Sequence, residues 1–169
     1  REKLTDEQRN RVKDLKINGI NLVEDQARLY PEGSMSASIL GFVGKNDAGG
    51  DQGYFGLEGY YDISLSGKRG YVRTEKDARG NPIPFGAYSQ VDASNGINLV
   101  TFIDRRIQLT LEKKIKEGVE KYGAKSGMVI VMRPTGEVIG AANYPSYEPT
   151  RYTSFEPSLF KNPIVANSF

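Results

Sequence analysis

The sequence predicts an α/β fold of the α+β kind, with short helices and small antiparallel strands leading into one long helix and a β-hairpin. Two observations carry this. Over the first hundred residues glycine, proline and asparagine repeatedly interrupt any apolar period before it can build a long element. By contrast, Arg105–Tyr122 keeps a helical period throughout, and two apolar runs, Gly127–Met132 and Val138–Asn143, follow it across a turn containing glycine.

In chain order, Thr5–Lys16 reads as a helix. Thr5 and Gln8 form a capping box, and Leu4, Val12 and Leu15 make a narrow apolar stripe expected to pack on one side. Asn18-Gly19 stops it. Ile20–Leu29 alternates imperfectly and suits a half-buried or edge strand. Next comes a corner, Arg28-Leu29-Tyr30-Pro31-Glu32-Gly33-Ser34. Pro31 fixes its own φ and pushes Tyr30 towards extended geometry, and Gly33 permits a positive φ. Ser34 or Ser36 is then placed to cap a short helix over Met35–Val43.

Lys45–Gln52 is a Gly/Asp loop. Its acidic spacing fails the calcium-loop pattern, because Gly49 falls where a ligand is needed and no glutamate closes the frame. Leu57–Leu65 reads as a second short helix ending at Gly67. Gly70–Lys76 and Pro82–Gln90 read as paired strands around Ala78-Arg79-Gly80-Asn81, the second irregular because of Pro82 and Pro84. Ser94-Asn95-Gly96 is a turn, and Ile97–Ile103 is an apolar strand. Asp104 is placed to cap Arg105–Tyr122, where Ile107, Leu111, Ile115, Val119 and Tyr122 form one apolar face suited to docking on a sheet. Gly118 interrupts that helix for no reason visible in the sequence, and Gly123 ends it. From Tyr144 to Phe169 four prolines and many aromatics mark a long irregular segment, of the kind that flanks functional sites.

Composition bounds the chemistry. The chain has 169 residues, enough for one domain or one domain plus part of a second. Hydrophobic residues at 38% and charged residues at 26% are a globular composition, not a disordered one. The formal net charge is only +2 with interleaved signs, so no basic stripe points to nucleic acid. Histidine and cysteine are absent, which excludes Ser-His-Asp and Cys-His catalysis, disulfides, and zinc held by those residues. No cofactor or metal site is expected. No apolar run approaches the ~20 residues of a membrane span. Arg1 in place of an initiator methionine is compatible with a targeting or anchoring segment upstream.

Four stretches, taken together, carry a resemblance. Arg28-x-Tyr30-Pro31-x-Gly33, then Gly53-x-x-Gly56-x-Glu58, resemble motifs of the non-catalytic pedestal of class B penicillin-binding proteins. Thr101-x-Ile103-Asp104-x-x-Ile107-Gln108 resembles the start of that family's transpeptidase domain, and Pro134-Thr135-Gly136-Glu137-Val138 with Ala142-Asn143-Tyr144-Pro145-Ser146-Tyr147 resembles the hairpin after it. The resemblance implies a dimerisation-type pedestal over residues 1–98 and the start of a transpeptidase domain over 99–169. It implies a non-catalytic part of a peptidoglycan D,D-transpeptidase, working outside the cytoplasm and tethered by an N-terminal helix not in this chain. Implied partners are the rest of the transpeptidase domain, a membrane glycosyltransferase and other cell-wall synthesis proteins, with peptidoglycan stem peptides as the parent's substrate. The rival reading is a scaffold or interaction module of an inactive or β-lactam-sensing relative.

By the same resemblance Arg28, Pro31, Gly33, Gly53, Gly56, Glu58 and Asp104 form a structural motif between the two parts. Arginine can hold a carboxylate through two parallel hydrogen bonds, so Arg28 is expected to pair with Glu58 or with Asp104. No catalytic set is expected. Ser158-Leu159-Phe160-Lys161 has the S-x-x-K spacing, but Asn162-Pro163 stops the helix that would carry it. Lys125-Ser126-Gly127 imitates K-T-G but falls at the first strand after the long helix. The chain departs from the family in three ways: it lacks the upstream R-G-x-x-x-D-R-x-G motif, it has Arg133 where an acidic residue is usual, and the proline–threonine spacing of its hairpin turn is one residue shorter than the common pattern.

Overall fold

The computed structural model describes residues 4–17, 19–22, 27–79, 81, 83 and 85–166. In chain order the elements are α1 (Asp6–Asp14), α2 (Ala37–Leu40), β1 (Phe42–Lys45), β2 (Asp51–Tyr54), α3 (Gly56–Tyr60), α4 (Asp62–Ser66), β3 (Tyr71–Thr74) and β4 (Tyr88–Val91). Then come α5 (Arg105–Tyr122), β5 (Gly127–Met132), β6 (Val138–Tyr144), two 3₁₀ turns (Pro149–Ser154 and Pro157–Phe160) and α6 (Pro163–Ala166). Among the described residues the strands form separate antiparallel pairs, β1–β2, β3–β4 and β5–β6. This is the mixed helix and small-sheet fold that the sequence predicts.

The strongest local signals hold. The capping box of α1 has both its bonds, Gln8 N–H to Thr5 Oγ1 and Thr5 N–H to Gln8 Oε1. Asp104 caps α5 by accepting from the N–H groups of Arg106 and Ile107, and Gly123 ends that helix at φ 62°. α5 lies against the β5–β6 hairpin, with Ile107, Leu111, Ile115 and Val119 facing it. Gly140 and Gly127 admit the helix, since a Cβ there would sit 2.8 Å from Leu111 Cδ1 and 2.7 Å from Val119 Cγ2. Tyr122, assigned to the same face from sequence, points to solvent instead.

Other expectations are corrected. α1 buries no residue: Leu4 and Leu15 are exposed and only Val12 is partly covered, so its stripe is not buried as a face. Of the strand expected over Ile20–Leu29, residues 23–26 lie outside the described residues, and 20–22 and 27–29 are not in a strand. The helix expected over Met35–Val43 is a single turn, Ala37–Leu40. Gly41 at φ 80° breaks it, and Phe42 and Val43 enter β1. The Lys45–Gln52 loop is shorter than expected, because both its ends are taken into the β1–β2 hairpin. Leu57–Leu65 divides into α3 and α4 at Tyr61. β4 begins only at Tyr88, Pro82 and Pro84 lying outside the described residues. Ile97–Ile103 does not form a strand. It runs between two anchors, Ile97 N–H to Ser64 O and Asp104 N–H to Ile139 O.

The irregular C-terminal segment supplies the core. Ala37, Phe42, Tyr147 and Phe160 form the buried cluster, with Tyr54, Tyr152, Phe155 and Leu159 packed on it. Phe42 stacks on Tyr152 at 4.2 Å between centroids and meets Phe160 edge-on at 4.9 Å. Such offset and T-shaped contacts suit the ring quadrupoles. Residues from the two ends of the chain therefore close one core.

Gly118 has open space where a Cβ would stand. Gly118→Ala should raise stability by about 1 kcal/mol, read as a higher urea midpoint at unchanged slope. A lower midpoint would mean that the position requires glycine.

Candidate functional site

The polar groups at the centre of the fold fall into two linked clusters. In the first, Glu58 is carried on α3 and is 6% exposed. Its Oε1 accepts from Arg28 Nε at 2.5 Å. Of the two acceptors left open by the sequence, Arg28 thus meets Glu58, through one N–H and not the two-bond fork. The guanidinium also lies 5.7 Å from the centroid of the Tyr30 ring. Tyr30 Oη accepts from Val43 N–H at 3.0 Å, tying the corner to β1. Burial, aided by the charge of Glu58, raises the Tyr30 pKa above its ordinary value despite the opposing hydrogen bond from Val43.

Backbone geometry sets Glu58. Gly53 N–H donates to Asp62 Oδ1 at 2.7 Å, and a Cβ on Gly53 would stand 2.1 Å from Glu58 O. Gly56 is at φ 46°, and a Cβ there would stand 2.3 Å from Ile39 O. A side chain at either position would push α3, and Glu58 with it, away from β2 and α2. Pro31 is exposed, and Gly33 takes φ 62° in the turn that follows it.

The second cluster is built on α5. Asp104 is spent at the helix N-terminus, and the hydrogen bonds it accepts from Ile107 and Arg106 lower its pKa. One turn on, Gln108 is fully buried. Its Nε2 donates to Ala141 O at 2.9 Å and its Oε1 accepts from Ala141 N–H at 3.0 Å, so one amide side chain completes the edge of β6 as a strand would. Gln108 Nε2 also reaches Glu112 Oε1 at 2.7 Å, and the same oxygen accepts from Ser36 N–H at 2.7 Å. Tyr147 Oη donates to Ala37 O at 2.8 Å, and its burial pushes the phenol pKa well up. Arg105 pairs with Glu32 at 2.9 Å across the exposed rim. The α2 turn is thus gripped at Ser36 from α5 and at Ala37 from the C-terminal segment.

Sequence reasoning singled out Arg28, Glu58 and Asp104, read Tyr30, Gln108 and Tyr147 only as parts of motifs and Ser36 only as a candidate cap, and missed Glu112. One signal was available: Gln108 and Glu112 stand four apart, beside the apolar face of α5, where polar residues have a reason to be. Ser158 is exposed in the second 3₁₀ turn, and Lys161 follows it in extended backbone at ψ 129°. Lys125 and Ser126 are exposed between α5 and β5. Chemically, the carboxylates, amide and guanidinium of both clusters fix backbone and orientation.

Small hairpins and one-turn helices are thus joined by polar contacts to a helix-backed hairpin. The chain belongs to the family described as the Penicillin-binding Protein dimerisation domain, whose model matches residues 1–101. It is 33% identical over 159 residues to the peptidoglycan D,D-transpeptidase FtsI of Escherichia coli K12, covering 94% of this chain and 26% of that protein. It is 31% identical over the same length to stage V sporulation protein D of Bacillus subtilis, covering 94% and 24%. Among solved structures, penicillin-binding protein 2X from Streptococcus thermophilus matches with a TM-score of 0.61 at 25% identity, covering 89% of this chain and 24% of that one. A peptidoglycan synthetase from Bifidobacterium adolescentis shares the fold with a TM-score of 0.68 at 24% identity, covering 97% and 29%. The chain spans about a quarter of the length of the curated relatives.

Removing the arginine leaves a buried carboxylate unpaired. Because Arg28 is half-exposed, Arg28→Ala should cost about 1–2 kcal/mol, less than a fully buried pair would. Adding Glu58→Gln should recover part of that loss. Urea midpoints of the two variants measure it, and an unchanged Arg28→Ala midpoint would remove the pair from the account.

Proposed function

We propose that the chain is the non-catalytic support of a peptidoglycan D,D-transpeptidase, with a pedestal over residues 1–98 and the opening of the transpeptidase domain over 99–169. Its work is positional. Arg28, Pro31, Gly33, Gly53, Gly56, Glu58 and Asp104 order the two sides of the junction, and the rest of the transpeptidase domain builds on β5–β6. The observation that carries this reading is the hydrogen-bonded run Ser36–Glu112–Gln108–Ala141, which joins α2 to the β6 edge through a single helix. The relatives' activity as peptidoglycan D,D-transpeptidases supports cross-linking of stem peptides as the parent's reaction. The same relatives support an extracytoplasmic location, and the reading adds a membrane anchor outside this chain. To this the reading adds contact with a membrane glycosyltransferase and other cell-wall synthesis proteins.

Intact mass after incubation with penicillin tests the reading, with the full-length parent and this chain run in parallel. A covalent adduct on the parent alone is expected. An adduct on this chain would relocate the acylated serine to within it, with Ser158 first in question. No adduct on either would favour a scaffold or an inactive relative.

A further inference from the structure

Two passes of backbone cross just before the chain reaches α5. Lys68 N–H donates to Ser94 O at 2.8 Å, Ser94 N–H to Lys68 O at 2.9 Å, and Ile97 N–H to Ser64 O at 2.9 Å. Between these bonds the two backbones touch. A Cβ on Gly96 would stand 1.8 Å from Leu65 O, and one on Gly67 would stand 2.3 Å from Ser94 O. Asn95 lies exposed within this crossing. Neither its side chain nor Gly96 N–H makes a hydrogen bond among the described residues. Of the described asparagines, only Asn95 precedes a glycine. Asn46, by contrast, has its amide oxygen held by Gly50 N–H at 2.9 Å.

We propose that Asn95–Gly96 is a self-modification site, where the asparagine amide is lost with time and the crossing loosens. The Gly96 nitrogen, once deprotonated, attacks Asn95 Cγ. The new C–N bond closes a succinimide ring, and the side-chain nitrogen takes up a proton and leaves as ammonia. Water then adds to one ring carbonyl and breaks its bond to nitrogen. Opening at Cγ leaves aspartate, and opening at the main-chain carbonyl leaves isoaspartate. Glycine favours the attack because no side chain shields its nitrogen and its backbone turns most freely. No hydrogen bond to Gly96 N–H has to break first, and none holds the Asn95 amide away. Isoaspartate carries an extra methylene in the main chain between Ser94 and Ile97, so the anchors on either side cannot both persist. The inference is independent of the positional role above. It gives the link between α4 and α5 an irreversible mark of age.

Peptide mapping of the chain after storage in mildly alkaline buffer tests this, with a synthetic peptide spanning 92–99 alongside. Asn95 should convert before Asn46 and Asn98, at a rate comparable to that in the peptide and rising with pH. Ammonia should appear in equal amount, with isoaspartate among the products. Asn95→Gln should abolish the conversion, because the longer side chain closes its ring far more slowly. In the converted chain amide exchange should speed at Lys68, Ser94 and Ile97. Freshly purified Asn95→Asp, which has the charge but no added methylene, should keep their protection. A folded chain in which Asn95 stays intact would overturn the proposal, as would conversion no faster than at Asn98. Conversion without faster exchange at those three amides would overturn the loosening.

Discussion

The structure depends on how the free edge of β6 is closed. An edge strand presents unpaired N–H and C=O groups that must find partners. Here α5 supplies them in sequence: Asp104 N–H reaches Ile139 O, and one turn later the Gln108 amide takes both backbone groups of Ala141. Leaving either buried group without a partner would cost about 1–3 kcal/mol. Because Gln108 is held in this way, its Nε2 fixes Glu112, and Glu112 reaches the α2 turn. The helix therefore orients the hairpin and α2 at once.

That grip bears on two strained residues. Ser36 at φ 60° and Phe55 at φ 58° both occupy backbone regions that side chains disfavour, at a cost on the order of 1–3 kcal/mol each. Ser36 N–H is held by Glu112. The Phe55 ring packs against Phe42 and Phe160. Both strained positions flank the β1–β2 hairpin, and both restraints come at least partly from residues beyond 104. The shape of the N-terminal hairpin is thus set in part by the C-terminal segment, as the shared aromatic core also implies.

What was legible in the sequence was local. The α1 capping box, the Asp104 cap, the whole of α5 with its Gly123 stop, and the β5–β6 hairpin all follow from neighbours a few residues apart. Segments that carry few tertiary contacts or end at a single glycine were misjudged. Gly41 cuts the α2 helix short, and Ile97–Ile103 has the pattern of a strand without a neighbouring strand to pair with. Tyr122 fits the helical period but falls past the end of the hairpin that would cover it. Arg28 and Glu58 were legible through motif resemblance. Glu112 with Ser36 and Tyr147 with Ala37 were not, since those contacts span 76 and 110 residues and no local pattern encodes them. Gln108 shows the middle case, a polar residue beside an apolar face whose partner 33 residues away only the fold reveals.

Amide hydrogen exchange on Glu112→Ala, with the unaltered chain beside it, tests most directly whether α5 grips α2. Loss of the carboxylate should speed exchange at Ile39, Leu40 and Gly41, whose N–H groups bond within the α2 turn. Protection in the β5–β6 hairpin should persist, because Gln108 still holds Ala141. Unchanged protection across α2 would contradict the account and leave the aromatic core, the Tyr147–Ala37 hydrogen bond and the Arg105–Glu32 pair to join the two parts of the chain.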